Sequence, residues 1–491
     1  MSVVLVVSLV GIVAIGVVGV LGRRRPAADL EEWSVGGRNF GSLTTWVLQA
    51  GEIYTTFTFL GLAGLAFTAG VAVTYALPYL PLAYIGLYFI APKVWRTGRD
   101  RGHITQGDFF ADRFRSPLLG RLTAALGVVF LLPYLQLQLT GLGLVVDLVT
   151  GSRSAGIAAM IIAAVLVTLF VLWAGINGVA RTAYLKDALM LVVLVVLFVV
   201  VPSHFSGGLG GIGERLLDGH ASLLVVPAEG THNTVWFFTA MVTSLISVLF
   251  LTMPQQWPAV LSAKNEKALR RNSIWMPVYG ATQAIPIVLG LIAVTVLTSP
   301  TNANGVLLTL VSRTLPDWLV GVVAVAVAAT AMVPAAGIVL GMSTLVTRNV
   351  LRVRDRRSGL LVNYVTVVAA VGVALVLGIG RPDALANLLL LTYGGLAQMA
   401  PATACALARR TRARTVSVTT GIVVGELVLI GLTFVLDYRG SVNSGLIALG
   451  CNIVAALATE AALRARRRRS TTPAGTDTAG PDEEPRAAYA P

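Results

Sequence analysis

The sequence predicts an all-α integral membrane protein with about thirteen transmembrane helices, and three observations lead to this fold class. Of the 491 residues, 56% are hydrophobic and only 12% are charged, whereas soluble domains carry about 25% charged residues. Apolar runs of about 20 residues recur along the chain, and each is long enough to cross a hydrocarbon core as a helix. Lys and Arg residues crowd into alternate connections between these runs, as in the loops of multi-pass proteins.

We place the individual spans by the length and apolar content of each run. They must be helical, because backbone groups in hydrocarbon have no water to bond and a helix satisfies its own. The predicted spans are residues 2–22, 43–66, 73–92, 117–147, 154–173, 182–202, 235–258, 275–298, 318–346, 360–379, 384–407, 415–436 and 441–462. The fourth and ninth spans are long enough to tilt or to project beyond the membrane.

Charge decides which side of the membrane each connection faces. Of the 37 Lys and Arg residues, 32 fall in one alternate set of connections and 5 in the other. The positive-inside rule assigns the richer set to the cytoplasm. An odd number of spans then places the amino terminus outside and the carboxy terminus inside. No positive charge precedes the first run and Arg23–Arg25 follow it, so we expect a retained helix rather than a signal peptide.

The carboxy-terminal segment 464–491 combines a basic cluster with a polar tail. Arg464 to Arg469 include five arginines, a composition typical of an anchor beside anionic lipid head groups. The remainder is rich in Pro, Gly and Thr and predicts disorder. The positive charge is otherwise spread over short loops of one membrane face, which argues against a nucleic-acid partner.

The second predicted span contains a carboxyl group and a polar interruption. Glu52 lies in the segment QAGEIYTTFT, where Gly51 and the run from Tyr54 to Thr58 break an otherwise apolar helix. Glycine permits local unwinding, and the exposed carbonyls and hydroxyls could then hold a small cation or a ligand. Glu52 is either a neutral acid bonded to a neighbouring span or a proton- or ion-coupling carboxylate, and a charge that persists in hydrocarbon favours the second role.

The seventh predicted span is also interrupted. It carries Ser244 and Ser247 and then the segment MPQQWP, in which Pro254 removes a backbone donor and Gln255 adds an amide. Interrupted helices at matching places in two halves of a chain indicate a transporter site formed by inverted repeats. Spans two to six and seven to eleven would be those halves.

Two further spans carry amides that have two alternative roles. Tyr134 and Gln138 fall on one face of the fourth span and can line a common cavity. Gln398, in GGLAQMAP of the eleventh span, lies between helix-loosening glycines and a proline. Each amide is alternatively a packing group, because amides often join membrane helices.

The remaining charges near the membrane have weaker assignments. Lys186 and Asp187 adjoin at the predicted cytoplasmic start of the sixth span, where they could pair at the interface. We therefore expect no Lys or Arg in the middle of any span. Glu426 lies within the twelfth span, outside the proposed repeats, and we expect a local hydrogen bond there.

Several motifs in order resemble a known family. Residues 28–410 contain, in sequence, EEWSVGGRNFGSLTTWVLQAGEIYTTFTFLGLAG, PYLQLQL, AYLKDALM, VLSAKNEKALRRN and the pair VPAA and VTRN. These segments resemble the solute:sodium symporter family, in particular its bacterial monocarboxylate permease branch.

The resemblance implies a core of five plus five inverted helices of the leucine-transporter type. Its boundaries in this chain would be 1–42 for a first helix and loop, 43–408 for the core, 409–463 for two further helices and 464–491 for the anchor and tail. It implies a symporter, not an enzyme, in a bacterial plasma membrane, importing small monocarboxylates such as pyruvate, lactate, acetate or propionate. The alternative is sodium-coupled symport of another small solute, such as an amino acid or sugar.

The resemblance also implies an ion site, with sodium as the only candidate cofactor. The family's sodium ligands would correspond to the backbone carbonyls of Gly51 and Tyr54, and Asp187 matches an aspartate that the family associates with ion release. The other half of that site is normally two adjacent hydroxyl residues, which here read Val333 and Pro334.

This departure favours a proton as the coupling ion. Without two hydroxyl ligands a sodium ion lacks oxygen donors, which carbonyls near Thr330, freed by Pro334, would replace only in part. A proton carried by Glu52, or taken up with the acid, is our hypothesis for the driving ion. With no basic group expected mid-membrane, hydroxyls, amides and backbone N–H groups at broken helices would hold the substrate anion. The candidate substrate residues are Tyr54, Thr55, Tyr134, Gln138, Gln255 and Gln398.

Overall fold

A computed structural model describes residues 3–22, 27–206, 208, 210–230, 232–297, 302–380, 385–408 and 413–471. Within these ranges the chain is helical apart from its connections, and the only β-type pairing is an isolated bridge between Phe40 and Ala263. The predicted all-α architecture is therefore confirmed. The predicted basic residues Arg23–Arg25 and the tail beyond Thr471 lie outside the described residues.

The described part of the chain forms 21 α-helices, joined in places by short 3₁₀- or π-helical turns. In chain order they are α1 Val3–Val20, α2 Leu30–Val35, α3 Ser42–Ile53, α4 Leu62–Ala69, α5 Tyr79–Arg101, α6 Gln106–Arg113, α7 Pro117–Thr150, α8 Arg153–Ala174, α9 Ile176–Ser206, α10 Gly210–His220, α11 Thr234–Leu249, α12 Gln256–Leu261, α13 Glu266–Ala281, α14 Ala284–Val296, α15 Val306–Thr314, α16 Asp317–Leu345, α17 Arg356–Gly380, α18 Leu385–Ala397, α19 Ala400–Leu407, α20 Thr415–Ile430 and α21 Ser444–Thr471. The turns are Gly36–Arg38, Phe57–Gly61, Gly70–Ala76, Ala221–Leu224, Ala303–Gly305, Val346–Val350 and Gly431–Val435.

Ten helical stretches in the described ranges are long and apolar enough to cross a membrane, or eleven if the bent pair α18–α19 is one span. One stretch, Phe57–Arg101, is 45 residues long, more than twice what one crossing requires. It turns at Gly70, whose φ of 62° suits a residue without a side chain, and so holds both α4 and α5. With the shorter apolar helix α11, each of the predicted spans coincides with a helical segment.

Helix boundaries differ from the predicted ones where a helix continues past its apolar stretch. α5 continues to Arg101 and α21 to Thr471, well beyond the predicted ends of those spans. α9 begins at Ile176 rather than at residue 182, and α13 begins at Glu266 rather than at residue 275. Apolar content indicates where a helix meets hydrocarbon, whereas the helix itself ends only where its backbone bonding ends.

The helix α16 forms the centre of the bundle. In its most apolar stretch, 94% of the residues are buried inside the protein, and it is rich in Ala, Gly and Val. Small residues allow membrane helices to approach closely. Gly321 of α16 faces Val7 of α1, and Gly11 of α1 faces Val325 of α16. The first helix is therefore packed directly on the central one.

Candidate functional site

The helix α3 ends in the middle of the second predicted span, as expected. Tyr54 follows it in an extended conformation, with φ −86° and ψ 95°, and a π-helical turn then leads into α4. The amide of Thr55, which would bond to Gly51 in an unbroken helix, bonds instead to Thr58 Oγ1 at 3.4 Å. The Thr58 hydroxyl in turn donates to the carbonyl of Ile53 at 3.2 Å. The carbonyl of Gly51, which has lost the Thr55 amide, therefore needs a partner from elsewhere.

The side chain of Lys186 supplies a partner for Gly51 and a second one for Ala50, whose carbonyl also accepts the Tyr54 amide. Its ammonium lies 3.3 Å from the carbonyl oxygen of Ala50 and 3.2 Å from that of Gly51. It also lies 2.7 Å from Asp187 Oδ1, and the Lys186 side chain is fully buried. The carboxyl end of a helix carries a partial negative charge, so a cation held there is stabilised by the helix as well as by the carboxylate.

The predicted interfacial position of Lys186 is wrong, and so is the expectation of no basic group inside a span. Because α9 begins at Ile176, Lys186 lies about 15 Å along the helix, at a rise of about 1.5 Å per residue. Its head group points at the break in α3 rather than to the membrane surface. Asp187, which the resemblance associates with ion release, pairs with Lys186 in this cluster and also accepts a hydrogen bond from Tyr279 at 2.9 Å.

Glu52 is buried beside this cluster. Its side chain is directed toward α16, where a Cβ built on Gly337 would lie 2.7 Å from Glu52 Oε1. Its other oxygen, Oε2, has no hydrogen-bond partner within the described residues. The predicted carboxyl group is thus present at the break, with one oxygen available to a proton or a ligand.

Tyr134 and Gln138 of α7 both reach the break, as their shared helix face predicted. The Tyr134 hydroxyl donates to the carbonyl of Glu52 at 3.4 Å. Gln138 Oε1 accepts from the Thr56 amide at 3.3 Å and from its hydroxyl at 3.0 Å. The other amide atom, Gln138 Nε2, is buried without a partner in the described part of the chain. Thr55 is buried in the same break.

The seventh predicted span is broken too, between α11 and α12. Leu251 adopts a φ of 48°, a left-handed conformation that is uncommon for a branched residue. Its carbonyl accepts from the Trp257 indole at 2.8 Å and from Gln106 Nε2 at 2.9 Å. Gln255, at the start of α12, is buried, and its Oε1 lacks a partner among the described residues.

Both breaks rest on one face of α16. A Cβ on Gly51 would lie 3.4 Å from Val333 Cγ1, Gly337 faces Glu52, and a Cβ on Gly341 would lie 2.8 Å from Gln255 Cα. Residues 333, 337 and 341 are spaced four apart and share one side of the helix. Glycines at two of the three positions let the broken helices approach the α16 backbone closely.

Gln398 lies apart from the other predicted substrate residues. Its Nε2 donates to the carbonyls of Gly394 at 3.0 Å and Gly445 at 3.2 Å. Asn452 Nδ2 donates to the Gln398 carbonyl at 2.7 Å and to its Oε1 at 3.3 Å. The Gln398 amide thus joins α18 to α21, which is the packing role that the sequence left as its alternative.

Some buried polar residues near the site were missed from the sequence. Gln49, one turn before Glu52 in α3, accepts hydrogen bonds from Tyr84 at 3.2 Å and from Asn272 at 2.8 Å. Tyr279 of α13 bonds to Asp187 and packs edge-on against the Tyr54 ring. The signal available in the sequence was the polar residue on an otherwise apolar helix face, which occurs at each of these positions.

Residues 33–407 match the model of the sodium:solute symporter family. The chain belongs to the sodium:solute symporter family. The proteins of this family are transporters, not enzymes, so this chain is a multi-pass membrane transporter.

Three relatives document the match. The chain is 33% identical over 449 residues to the uncharacterized symporter YhjB of Bacillus subtilis, which covers 88% of this chain and 91% of that protein. It is 32% identical over 467 residues to the uncharacterized symporter YodF of the same species, covering 93% and 92%. It is 29% identical over 327 residues to a monocarboxylate transport permease of Rhizobium johnstonii, covering 66% and 65%.

Solved structures share the fold. A Na⁺-coupled sialic acid symporter in a substrate-bound outward-open state superposes with a TM-score of 0.76 at 15% identity, covering 94% of this chain and 98% of that one. Mhp1, a nucleobase-cation-symport-1 family transporter, gives a TM-score of 0.54 at 16% identity, covering 90% and 96%. At these identities the likeness concerns the fold alone.

The residues at the predicted sodium site do not fit a sodium ion. Hard cations bind through several oxygen ligands, but the Gly51 carbonyl is already bonded to the Lys186 ammonium. Across from it, Val333 presents methyl groups and Pro334 has no hydroxyl. The Thr330 hydroxyl is bonded to Val327 at 2.7 Å.

Proposed function

We propose that this transporter imports small monocarboxylates, such as pyruvate, lactate, acetate or propionate, by symport with a cation. The proposal is supported by the resemblance to a monocarboxylate transport permease and by the chemistry of the break in α3. A short carboxylate has little to recognise except its two oxygens, so its site needs a few converging hydrogen-bond donors in an apolar setting.

One observation supports the proposal most directly: only one of the two polar groups of the buried Gln138 amide has a hydrogen-bond partner. Its oxygen is occupied by Thr56 while its NH₂ group has no partner in the described part of the chain. A buried donor without an acceptor costs about 1–3 kcal/mol, and a substrate carboxylate would satisfy it. The Thr55 hydroxyl, buried in the same break, would add a second donor, while the Lys186 charge is neutralised by Asp187.

The transport core in this proposal is the ten-helix segment 43–408 with its two inverted repeats. Support comes from the two broken helices, one in each proposed repeat, that meet on one face of α16. Alternating access would then consist of rocking the broken helices against the rest of the bundle, with the substrate held near the middle of the membrane. α1, α20 and α21 would lie outside this core.

The proposed orientation has the amino terminus outside and the carboxy terminus in the cytoplasm of a bacterial cell. The distribution of basic residues supports it. A cavity of about 500 Å³ at one end of the bundle is lined by Arg121, Arg348, Arg352 and Arg354 together with Asp108. These arginines would face the cytoplasm.

Glu52 and Asp187 are our candidates for coupling uptake to an ion, with Gly51, Tyr54 and Thr330 as the contributors if that ion is sodium. A proton is the candidate that the site favours. Glu52 has an oxygen without a partner and lies against the helix on which both breaks rest. Protonation there would remove a charge that the buried site otherwise has to accommodate.

Uptake and competition in proteoliposomes test the substrate. Labelled pyruvate should accumulate, and unlabelled lactate, acetate and propionate should compete with it, while amino acids and sugars should not. The alternative is sodium-coupled symport of another small solute, such as an amino acid or sugar. Failure of every monocarboxylate to compete would defeat the proposal and leave that alternative.

A further inference from the structure

The ammonium of Lys186 bonds to one of the two carbonyls, that of Gly51, at which the family resemblance implied a metal ion. Two carbonyls of the broken helix, those of Ala50 and Gly51, bond to it at 3.3 and 3.2 Å. One of these two, Gly51, is a predicted sodium ligand. A main-chain carbonyl directed at a cation by an interrupted helix is the usual arrangement of coupling-ion sites in transporters of this architecture, and here the cation is part of the chain.

The Lys186 head group is also paired with a carboxylate. Asp187 supplies the negative charge at 2.7 Å, and Tyr279 orients that carboxylate from α13 through a hydrogen bond of 2.9 Å. Lys186 is fully buried, so it cannot reach the membrane surface. A charge so deeply buried requires partners, and all of its partners within the described residues belong to this cluster.

The facing helix α16 offers no side-chain oxygen opposite Gly51. Where the resemblance implies two hydroxyl residues, this chain has Val333 and Pro334, neither of which offers a side-chain oxygen to a cation. Val333 packs against Gly51 on the side of α16. The absence of side-chain oxygens at Val333 and Pro334 on one helix and the presence of the Lys186 ammonium from another have the same effect, because each removes a reason for sodium to bind.

We infer that Lys186 serves as a tethered cation in place of sodium, so that this transporter neither binds sodium at the α3 break nor needs it for uptake. The inference deepens the proposed function by excluding one coupling ion, and it rests on that proposal only where uptake is measured. The structural part of it, the filled cation position, stands on the Lys186 contacts alone.

The first experiment measures equilibrium binding of ²²Na⁺ to the purified wild-type protein in the absence of substrate. We expect no saturable binding. Initial rates of pyruvate uptake into proteoliposomes should be equal in sodium and in potassium media at the same pH. Saturable ²²Na⁺ binding by the wild type, or an uptake rate that rises with sodium, would overturn the inference.

A gain of function provides the second experiment. The triple variant Lys186→Ala, Val333→Ser, Pro334→Ser removes the tethered charge and restores the hydroxyls, and it should acquire saturable ²²Na⁺ binding. The matched control is Lys93→Ala, Val333→Ser, Pro334→Ser, in which an exposed lysine of α5 is removed instead. It should bind no sodium, because Lys186 is retained.

Each outcome has a definite meaning. Sodium binding by the control would show that the ammonium is not what excludes sodium, and absence of binding in a folded triple variant would show that the position is not a cation site. Either result contradicts the inference. If the triple variant does not fold, the wild-type measurement decides alone. Because ²²Na⁺ binding is measured without substrate, it is independent of whether monocarboxylates are the correct solutes.

Discussion

At the break in α3, individual side chains differ in how far the protein satisfies them. The Lys186 ammonium has three oxygen partners within 3.3 Å. Glu52 Oε2 and Gln138 Nε2 have no partner among the described residues. Because buried polar groups are nearly always hydrogen-bonded, these two atoms are where a proton, water or substrate would complete the site.

Replacement of Glu52 by Gln tests the coupling role. The side chain keeps its shape but can no longer exchange a proton, so Glu52→Gln should abolish accumulation of labelled pyruvate driven by a pH gradient while leaving the protein folded. The matched control is Glu426→Gln in α20, outside the proposed core. Glu426 is also buried, and neither of its oxygens has a partner in the described structure, so the local hydrogen bond expected from the sequence is wrong. Undiminished accumulation by Glu52→Gln would remove that residue from the coupling role.

Replacement of Gln138 by Glu tests substrate recognition. The new side chain keeps an oxygen for Thr56 but loses the NH₂ donor and adds negative charge. A hydrogen bond to a charged group contributes about 1.5–3 kcal/mol, so KM for pyruvate should rise about tenfold or more. Gln136→Glu, on another face of α7, is the control and should leave KM unaltered. An unchanged KM in folded Gln138→Glu would contradict the assignment.

The position of Lys186 shows what the sequence can and cannot predict at this scale. Hydropathy placed it at the membrane surface, because a lysine lowers the apolar content of any window that contains it. Helical spacing instead places Lys186 on a buried face of α9. Residues at intervals of three and four form one buried stripe there, namely Val179, Ala183, Lys186, Met190 and Val193. The position of Lys186 on the buried face could have been predicted from this spacing. Its carbonyl partners on α3 could not, because they depend on the tertiary fold.

At the scale of helices, interruptions were easier to predict than boundaries. The breaks near Gly51 and Pro254 were predicted because glycine and proline weaken helical bonding locally. The starts of α9 and α13 were misplaced by several residues, since polar helical turns outside hydrocarbon carry no apolar signal. That both breaks would rest on the same side of α16 could not be predicted, because the sequence does not state which helices cross.

The substitution Gly341→Ala tests the close crossing of α12 and α16. The added Cβ would lie 2.8 Å from the Gln255 backbone, which cannot move aside as a flexible side chain can. Gly341→Ala should lower the thermal stability of the purified protein and reduce uptake several-fold, as overpacking costs about 1–3 kcal/mol.

The control for this prediction is Gly372→Ala in α17, where an added Cβ meets nothing within 4 Å. It should keep or raise stability, because alanine favours a helix by about 1 kcal/mol over glycine. Equal behaviour of the two variants in a thermal-shift assay would show that the α12–α16 contact is not tight.

For the whole molecule, fold class and family followed from the sequence, whereas substrate and orientation remain proposals. Composition and the recurrence of apolar runs predicted an all-helical membrane protein, and ordered motifs across residues 28–410 predicted the family. A solute as small as pyruvate leaves no such pattern, since a few donors at buried helix breaks suffice to hold it. The division of the chain into a core and peripheral helices likewise remains a prediction.

Cysteine labelling tests the proposed orientation. In a variant with Cys405 and Cys451 replaced by Ser, a single cysteine at the exposed position Glu229 should react with a membrane-impermeant maleimide on intact cells. A cysteine at the exposed position Asp355 should react only after permeabilisation, because the positive-inside rule places it in the cytoplasm. The reverse pattern would invert the topology.

The ammonium at the α3 break is covalently attached to α9, and this has a consequence for the conditions under which the protein can work. A dissolved ion fills its site in proportion to its concentration, whereas an attached group has a fixed effective concentration that dilution cannot lower. Salt in the medium also has little influence on the Lys186–Asp187 pair, because buried charges are screened weakly. The contact between Lys186 of α9 and the end of α3 would therefore be equally complete at low and at high ionic strength.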